Sequence, residues 1–168
     1  KRSIEGLRGS INVQTRAGKG SSIRLRIPLS LSVVEALLVQ VGGELYAINL
    51  TSIIACRAAD SLKRMAGGDL VIFDEQPVPR IDLTDFFNPG HAGKSDGVVI
   101  FLSNGERTVG LLVDEVLNSI QAVIKTLGKA FTDARGLNGA VVLGDGSLAL
   151  VIDSEYFQST HGKRSGLA

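Results

Sequence analysis

From residue 10 onward the chain breaks into short runs in which apolar and polar side chains alternate. A period of two turns one face of each run toward a core and the other toward solvent, which is the signature of β-strands. Residues 10–14 and 22–27 alternate in this way around a glycine turn at 16–20, predicting a hairpin that Pro28 ends. Residues 1–9 read as the end of a helix, with Ile4 and Leu7 on one side and Gly9 at the C-terminal cap position. Further strands are predicted over 36–41, 45–50, 70–73, 76–82, 97–102, 108–114, 140–143 and 148–153. The pairs Gly42-Gly43, Asn104-Gly105 and Asp145-Gly146 separate strands and suit the left-handed backbone of tight hairpin turns. Helix is sparse: single turns over 84–87 and 154–157, and a short helix or loop over 58–65.

The polar, glycine-rich connection 88–96 divides residues 34–157 into two portions that resemble each other. Gly43-Glu44, Tyr46-Ala47-Ile48 and Ile53-Ile54 in the first answer to Gly105-Glu106, Val109-Gly110-Leu111 and Val116-Leu117 in the second. Each portion closes on an apolar strand, an aspartate and an aromatic pair: Ile81-Asp82 with Phe86-Phe87, and Ile152-Asp153 with Tyr156-Phe157. The simplest reading is a duplicated five-stranded β-barrel, the first over about 34–90 and the second over about 97–157. Barrels this small bury little alone, so they are expected to share an apolar interface. Residues 159–168 are expected to form a polar, frayed tail.

Composition narrows the function. Hydrophobic residues make up 44% and charged residues 21%, a globular balance. The net charge of +1 argues against nucleic acid as the main partner, and Arg24 and Arg26 read as the solvent face of one strand. The single cysteine, Cys56, excludes an internal disulfide and, within Ile53-Ile54-Ala55-Cys56, is expected to be a buried small hydrophobe. No apolar run reaches the length of a membrane span, so no direct membrane insertion is expected. The start, Lys1-Arg2-Ser3, has neither an initiator Met nor a following signal-peptide segment, and is read as lying within a longer cytoplasmic polypeptide.

Candidate chemistry is thin. The two histidines, His91 and His161, stand away from cysteines and carboxylates, so no metal site is expected. Gly93-Lys94-Ser95 lacks the earlier glycine of a phosphate-binding loop, since Asn88 occupies that position, and is rejected. Asp82 and Asp153 follow apolar strands and are expected to cap the turns after them. Gly18-Lys19-Gly20-Ser21 has the composition of a phosphate cradle and equally of a plain hairpin turn.

Two stretches carry a family resemblance. Ile4-Glu5-Gly6-Leu7-Arg8-Gly9-Ser10-Ile11-Asn12-Val13, then Gly18-Lys19-Gly20-Ser21, then Ile27-Pro28-Leu29-Ser30-Leu31, resembles the end of the ATP-binding domain of CheA-type chemotaxis histidine kinases. Ser21, Ile27 and Ser30 are conservative departures from the Thr, Leu and Thr usual there. Leu38 to Ile48, Pro79-Arg80-Ile81-Asp82-Leu83, Gly110 to Val116 and Leu137 to Gly146 resemble the CheW-like regulatory domain that follows in the same kinases. Asn49 departs from the proline usual before Leu50.

The resemblance implies a mainly β chain of two SH3-like five-stranded barrels, 32–158, preceded by a remnant of the ATP-binding domain, 1–31. It implies a regulatory module that binds the CheW coupling protein and chemoreceptor tips, acts on the rest of the kinase, and lies in the cytoplasm at receptor arrays. Gly18, Gly20 and Ser21 would form the edge of the ATP site in the intact kinase. The fragment itself would hold no cofactor and catalyse nothing, because the ATP, magnesium and phosphoacceptor determinants lie before residue 1. A monomer or weak association is expected. Leu70, Ile72, Phe73, Ile120, Val123 and Ile124 are the candidates for the partner interface, with burial in the core as the equal alternative for each. The competing readings are a freestanding CheW-type adaptor and a small enzyme with an unrecognised site.

Overall fold

The computed structural model describes residues 10–16, 20–26, 33–65, 69–91, 96–125 and 135–164, and the chain divides into two units, Lys1–Ser32 and Val33–Ala168. The expected helix end over 1–9 lies outside the described residues.

In the first unit the alternating runs pair as predicted. Strands β1 (Ser10–Arg16) and β2 (Gly20–Arg26) form an antiparallel hairpin in register from Ser10↔Arg26 to Arg16↔Gly20. Val13 and Ile23 face each other across it and are 59% and 66% exposed.

The second unit contains β3 (Val33–Val41), β4 (Glu44–Asn49), β5 (Ile53–Ala58), β6 (Leu70–Phe73), β7 (Gln76–Asp82) and helix α1 (Leu83–Phe87). It continues with β8 (Val98–Ser103), β9 (Arg107–Val113), β10 (Glu115–Val123), β11 (Leu137–Val142), β12 (Leu148–Ile152), helix α2 (Ser154–Thr160) and β13 (Lys163–Arg164). One sheet has the order β10-β3-β4-β12-β11, and Lys125 closes it by exchanging two 2.9 Å backbone hydrogen bonds with Ala140 of β11. The other has the order β5-β8-β9-β7-β6, with β13 beside β9. Its closure runs through residues 63–65, where Met65 N–H donates to Leu70 C=O and Ile72 N–H to Lys63 C=O. Two closed barrels result, and closure removes the unpaired edges that an open sheet would leave.

The barrels are not the contiguous segments 34–90 and 97–157. The first portion gives β3 and β4 to one barrel but β5, β6 and β7 to the other, and the second portion does the reverse. Thus β3 pairs with β10 and β8 with β5, while β4 meets β12 and β9 meets β7 in parallel. The duplication is real at the level of topology, and its two halves exchange strands. The sequence pattern misplaced the boundaries because period two identifies strands and not their partners.

Alternation builds three apolar layers. Ala36, Leu38, Ala47, Ala149 and Val151 fill one barrel, and Val71, Val78, Val99, Phe101 and Leu112 the other. The opposite faces of the same strands, with Val39, Val41, Tyr46, Ile48, Ile100, Leu102, Val109, Leu111 and Val113, join Leu83 and Phe157 in a shared layer between the barrels. This is the expected common interface. Burying each Phe, Ile or Leu there contributes about 1.5–3 kcal/mol.

The two aspartates do cap the helices that follow their strands. Asp82 Oδ1 accepts from the N–H groups of Thr84 and Asp85 at 2.9 and 3.4 Å, and Asp153 Oδ1 from Tyr156 N–H at 3.1 Å. One expectation fails: residues 159–164 are not frayed, since α2 runs to Thr160 and β13 pairs Lys163 with Thr108. Of the two alternatives for 58–65, the loop is the one seen, with a tight 3-10 turn at Ala59–Ser61 before the chain rejoins the sheet.

Candidate protein interface

Residues in register across paired strands share a face, so the ladders show which apolar side chains turn outward. On the hairpin β6–β7, Leu70 pairs with Pro79 and Ile72 with Pro77, all partly exposed, while Val71 and Val78 point into the barrel. Met65, 43% exposed, joins them through its hydrogen bond to Leu70. The prolines suit this face, since their missing N–H groups limit which ladder positions they can take. Farther along β7 the same face enters the shared layer at Ile81.

The other half of the duplication repeats the arrangement on β11–β12. Val142 pairs with Leu148, 51% and 63% exposed, and the next outward residue of β12, Leu150, enters the shared layer. Each barrel thus carries one outward apolar patch near the turn of its second hairpin. A third outward pair, Val33 with Val123, ends the β3–β10 ladder.

The candidate residues divide accordingly. Leu70, Ile72 and Val123 face outward. Phe73 packs into its barrel with its ring stacked on Phe101 at 3.9 Å between centroids, and Ile120 and Ile124 pack against the interior of the other barrel. Sequence reasoning missed Val142 and Leu148. The available signal was Ala149 and Val151 directed inward, which sends Leu148 out.

Three candidates belong to the hairpin unit. Gly18 lies outside the described residues. Gly20 has φ of +89°, and the exposed Ser21 shares a 2.9 Å hydroxyl contact with Thr15 across the hairpin.

Cys56 is exposed, contrary to expectation. A β-bulge between Ile53 and Ala55 interrupts the alternation, turns Ile54 out to 52% exposure and leaves Ala55 as the inward residue. Partial burial of the thiol still raises its pKa, against a smaller opposing pull from Arg57. Tyr46 is likewise raised by burial and then by Glu44. Burial and the neighbouring Arg64 lower the pKa of Arg80, with Asp82 and Asp69 opposing. Among the described residues, no three His, Cys, Asp or Glu side chains gather as a metal site, and no helix is long and apolar enough to cross a membrane. The pattern is that of a scaffold with two related apolar patches.

Comparison with known proteins agrees with this architecture. The CheW-like domain family matches residues 35–159. The chain is 32% identical over 163 residues to the chemotaxis protein CheA of Klebsiella aerogenes, covering 94% of this chain and 25% of that protein. It is 30% identical over 163 residues to CheA of Salmonella typhimurium, covering 94% and 24%. It is also 32% identical over 157 residues to the sensor histidine kinase CheAY of Helicobacter pylori, covering 91% and 20%. The chain therefore spans about a quarter or less of the length of these relatives. The crystal structure of the scaffolding protein TtCheW from Thermoanaerobacter tengcongensis shares the fold, with a TM-score of 0.62 and 19% identity over 72% of this chain and 89% of that one.

Proposed function

This chain belongs to the CheW-like domain family, and from that premise we propose that it is the regulatory, partner-binding portion of a CheA-type chemotaxis histidine kinase. One observation carries the choice over a freestanding CheW-type adaptor. The likeness to CheA proteins covers 94% of the chain, whereas the CheW-like match begins only at residue 35. In this reading the hairpin β1–β2 is the end of an ATP-binding domain, with Gly18, Gly20 and Ser21 at the edge of its nucleotide site. ATP and magnesium would belong to the complete kinase, and the portion in hand would work as an adaptor without catalysing a reaction.

The partners would be a CheW-type coupling protein and cytoplasmic chemoreceptor tips, through which the chain would join receptor arrays. The two patches, Leu70–Ile72–Pro77–Pro79 and Val142–Leu148, support this reading. They are related by the internal duplication and lie on different barrels, so one domain can be engaged at two sites. Apolar patches of this kind, rimmed by polar groups, are what partner docking needs.

The test is calorimetric titration of the chain with the coupling protein of the same organism, with ATP turnover assayed on the same sample. Binding with Kd of about 1–10 μM and no turnover is expected. Ile72→Arg and Leu148→Arg, both at exposed or half-exposed positions, should each leave the fold intact and weaken at least one partner contact about tenfold or more. Absence of binding, or turnover above background, would refute the proposal.

A further inference from the structure

The chain holds two Asn-Gly pairs, Asn104-Gly105 and Asn138-Gly139. Such a pair is open to a reaction of its own. The glycine's backbone nitrogen can attack the asparagine's side-chain carbonyl carbon, since the two are tethered close together and glycine has no Cβ to hinder the approach.

The turn between β8 and β9 equips Asn104 for this reaction. Its Oδ1 accepts the N–H groups of Glu106 and Arg107 at 3.0 and 2.9 Å. Those two donors sit where negative charge would gather during attack, which is the arrangement of an oxyanion hole. The Gly105 N–H donates to Ser103 Oγ at 3.1 Å, so the proton that must leave the nitrogen already lies on an oxygen acceptor. Asn104 and Gly105 are both exposed, Gly105 has φ of +87°, and nothing lies within 4 Å of where its Cβ would stand. This peptide has room to turn. Asn138 is exposed too, but Gly139 is buried in β11, pairs with Val151 and packs with Ile124 Cγ2 2.5 Å from its would-be Cβ. That peptide cannot rotate without opening the ladder.

We propose that Asn104 is a site of intramolecular deamidation, with water as the only co-reactant, and that the fold withholds the same reaction from Asn138. The Gly105 nitrogen gives up its proton to solvent base and bonds to Cγ, while the carbonyl π pair moves onto Oδ1. The intermediate re-forms the carbonyl and expels Nδ2, which takes up a proton, as ammonia. Water then opens the succinimide at either carbonyl, leaving aspartate or isoaspartate at position 104, with no net oxidation or reduction. Aspartate keeps an acceptor for Glu106 and Arg107. Isoaspartate routes the backbone through the former side chain, adds a methylene to the turn and removes that acceptor. Arg107 also holds the end of the chain, through its register with Arg164 and a 2.6 Å bond from its Nη1 to the Ser159 carbonyl. Isoaspartate at 104 therefore loosens β13 from β9.

The experiment incubates the whole chain at mildly alkaline pH, folded and in concentrated urea. Mass spectrometry follows the peptides carrying residues 104 and 138, with fragmentation that separates the two acid isomers. In the folded chain residue 104 should convert about tenfold faster than residue 138 or more, since one oxyanion donor alone is worth at least that much. In urea the two rates should become similar. Amide hydrogen exchange at Lys163 and Arg164 should speed up in the isoaspartyl product and stay unchanged in Asn104→Asp. Equal conversion of the two sites in the folded chain, an intact residue 104 while the urea sample reacts, or the same preference in urea would overturn the proposal. Unaltered exchange in the isoaspartyl product would overturn the effect on β13.

Discussion

Gly136 sits just before β11 with φ of +77°, and its carbonyl accepts the Asp153 N–H at 2.8 Å. A Cβ placed there would lie 2.8 and 2.9 Å from Cζ and Cε2 of Phe157 and 3.2 Å from Cε1 of Phe86. Gly136→Ala therefore has two separate costs. The left-handed backbone disfavours any Cβ by about 1–2 kcal/mol. Overpacking against a fully buried ring adds about 1–3 kcal/mol. The sum, about 2–5 kcal/mol, corresponds to a fall in melting temperature of about 4–20 °C for a chain of this size. The two costs can be divided by removing the ring. In a Phe157→Leu background most of the steric part should vanish, leaving the backbone part of about 1–2 kcal/mol and the lesser contact with Phe86. Denaturant unfolding of the four proteins in this cycle measures the coupling. A single-mutant cost under about 1 kcal/mol, or a cost unchanged by Phe157→Leu, would refute the packing account.

Asp82→Ala and Asp153→Ala should each destabilise by about 1 kcal/mol in denaturant titrations, because each removes a helix cap. Asp74 and Glu75, at the β6–β7 turn, hold φ of 47° and 62°, so Glu75→Gly should stabilise by about 1 kcal/mol in the same assay. Burial raises the Cys56 pKa, which leaves less thiolate near pH 8 than in a free thiol; iodoacetamide should react with it more slowly, and its rate should still climb at pH values where a model thiol has levelled off. Thermal unfolding of residues 33–164 should show one transition, with coincident fluorescence and circular dichroism curves, because the exchanged strands tie the barrels together.

Strand positions were legible because the side-chain period of two is local. The caps at Asp82 and Asp153 were legible for the same reason, since a carboxylate, its helix turn and the aromatic pair after it are adjacent in sequence. Strand partners were not. Nothing in the run Glu115–Val123 marks it for β3 rather than β8, and its polar Asn118-Ser119 and Gln121 weakened the strand signal itself. The bulges at Ile54 and Leu117 also lay out of reach, since each is an insertion defined only by the strand opposite. That is why Cys56 reads as buried in the sequence and is exposed in the fold. The interface candidates divided for a related reason. Ile72 and Phe73 are equally apolar neighbours, and only the β6–β7 register decides that the first faces out and the second stacks on Phe101.

Strand exchange also bears on how such a domain can transmit a signal. If each half of the duplication closed its own barrel, the barrels would meet only through side chains and could slide independently. Here β5 and β10 cross over, so each barrel contains backbone from both halves and the shared layer is fixed by ladders on either side. A load applied at the Ile72–Pro77 patch reaches the Val142–Leu148 patch through paired strands and one contiguous apolar layer. Motion of one patch relative to the other then requires distortion of the packed layer, which close packing resists. The architecture favours rigid-body coupling between the two patches over internal rearrangement.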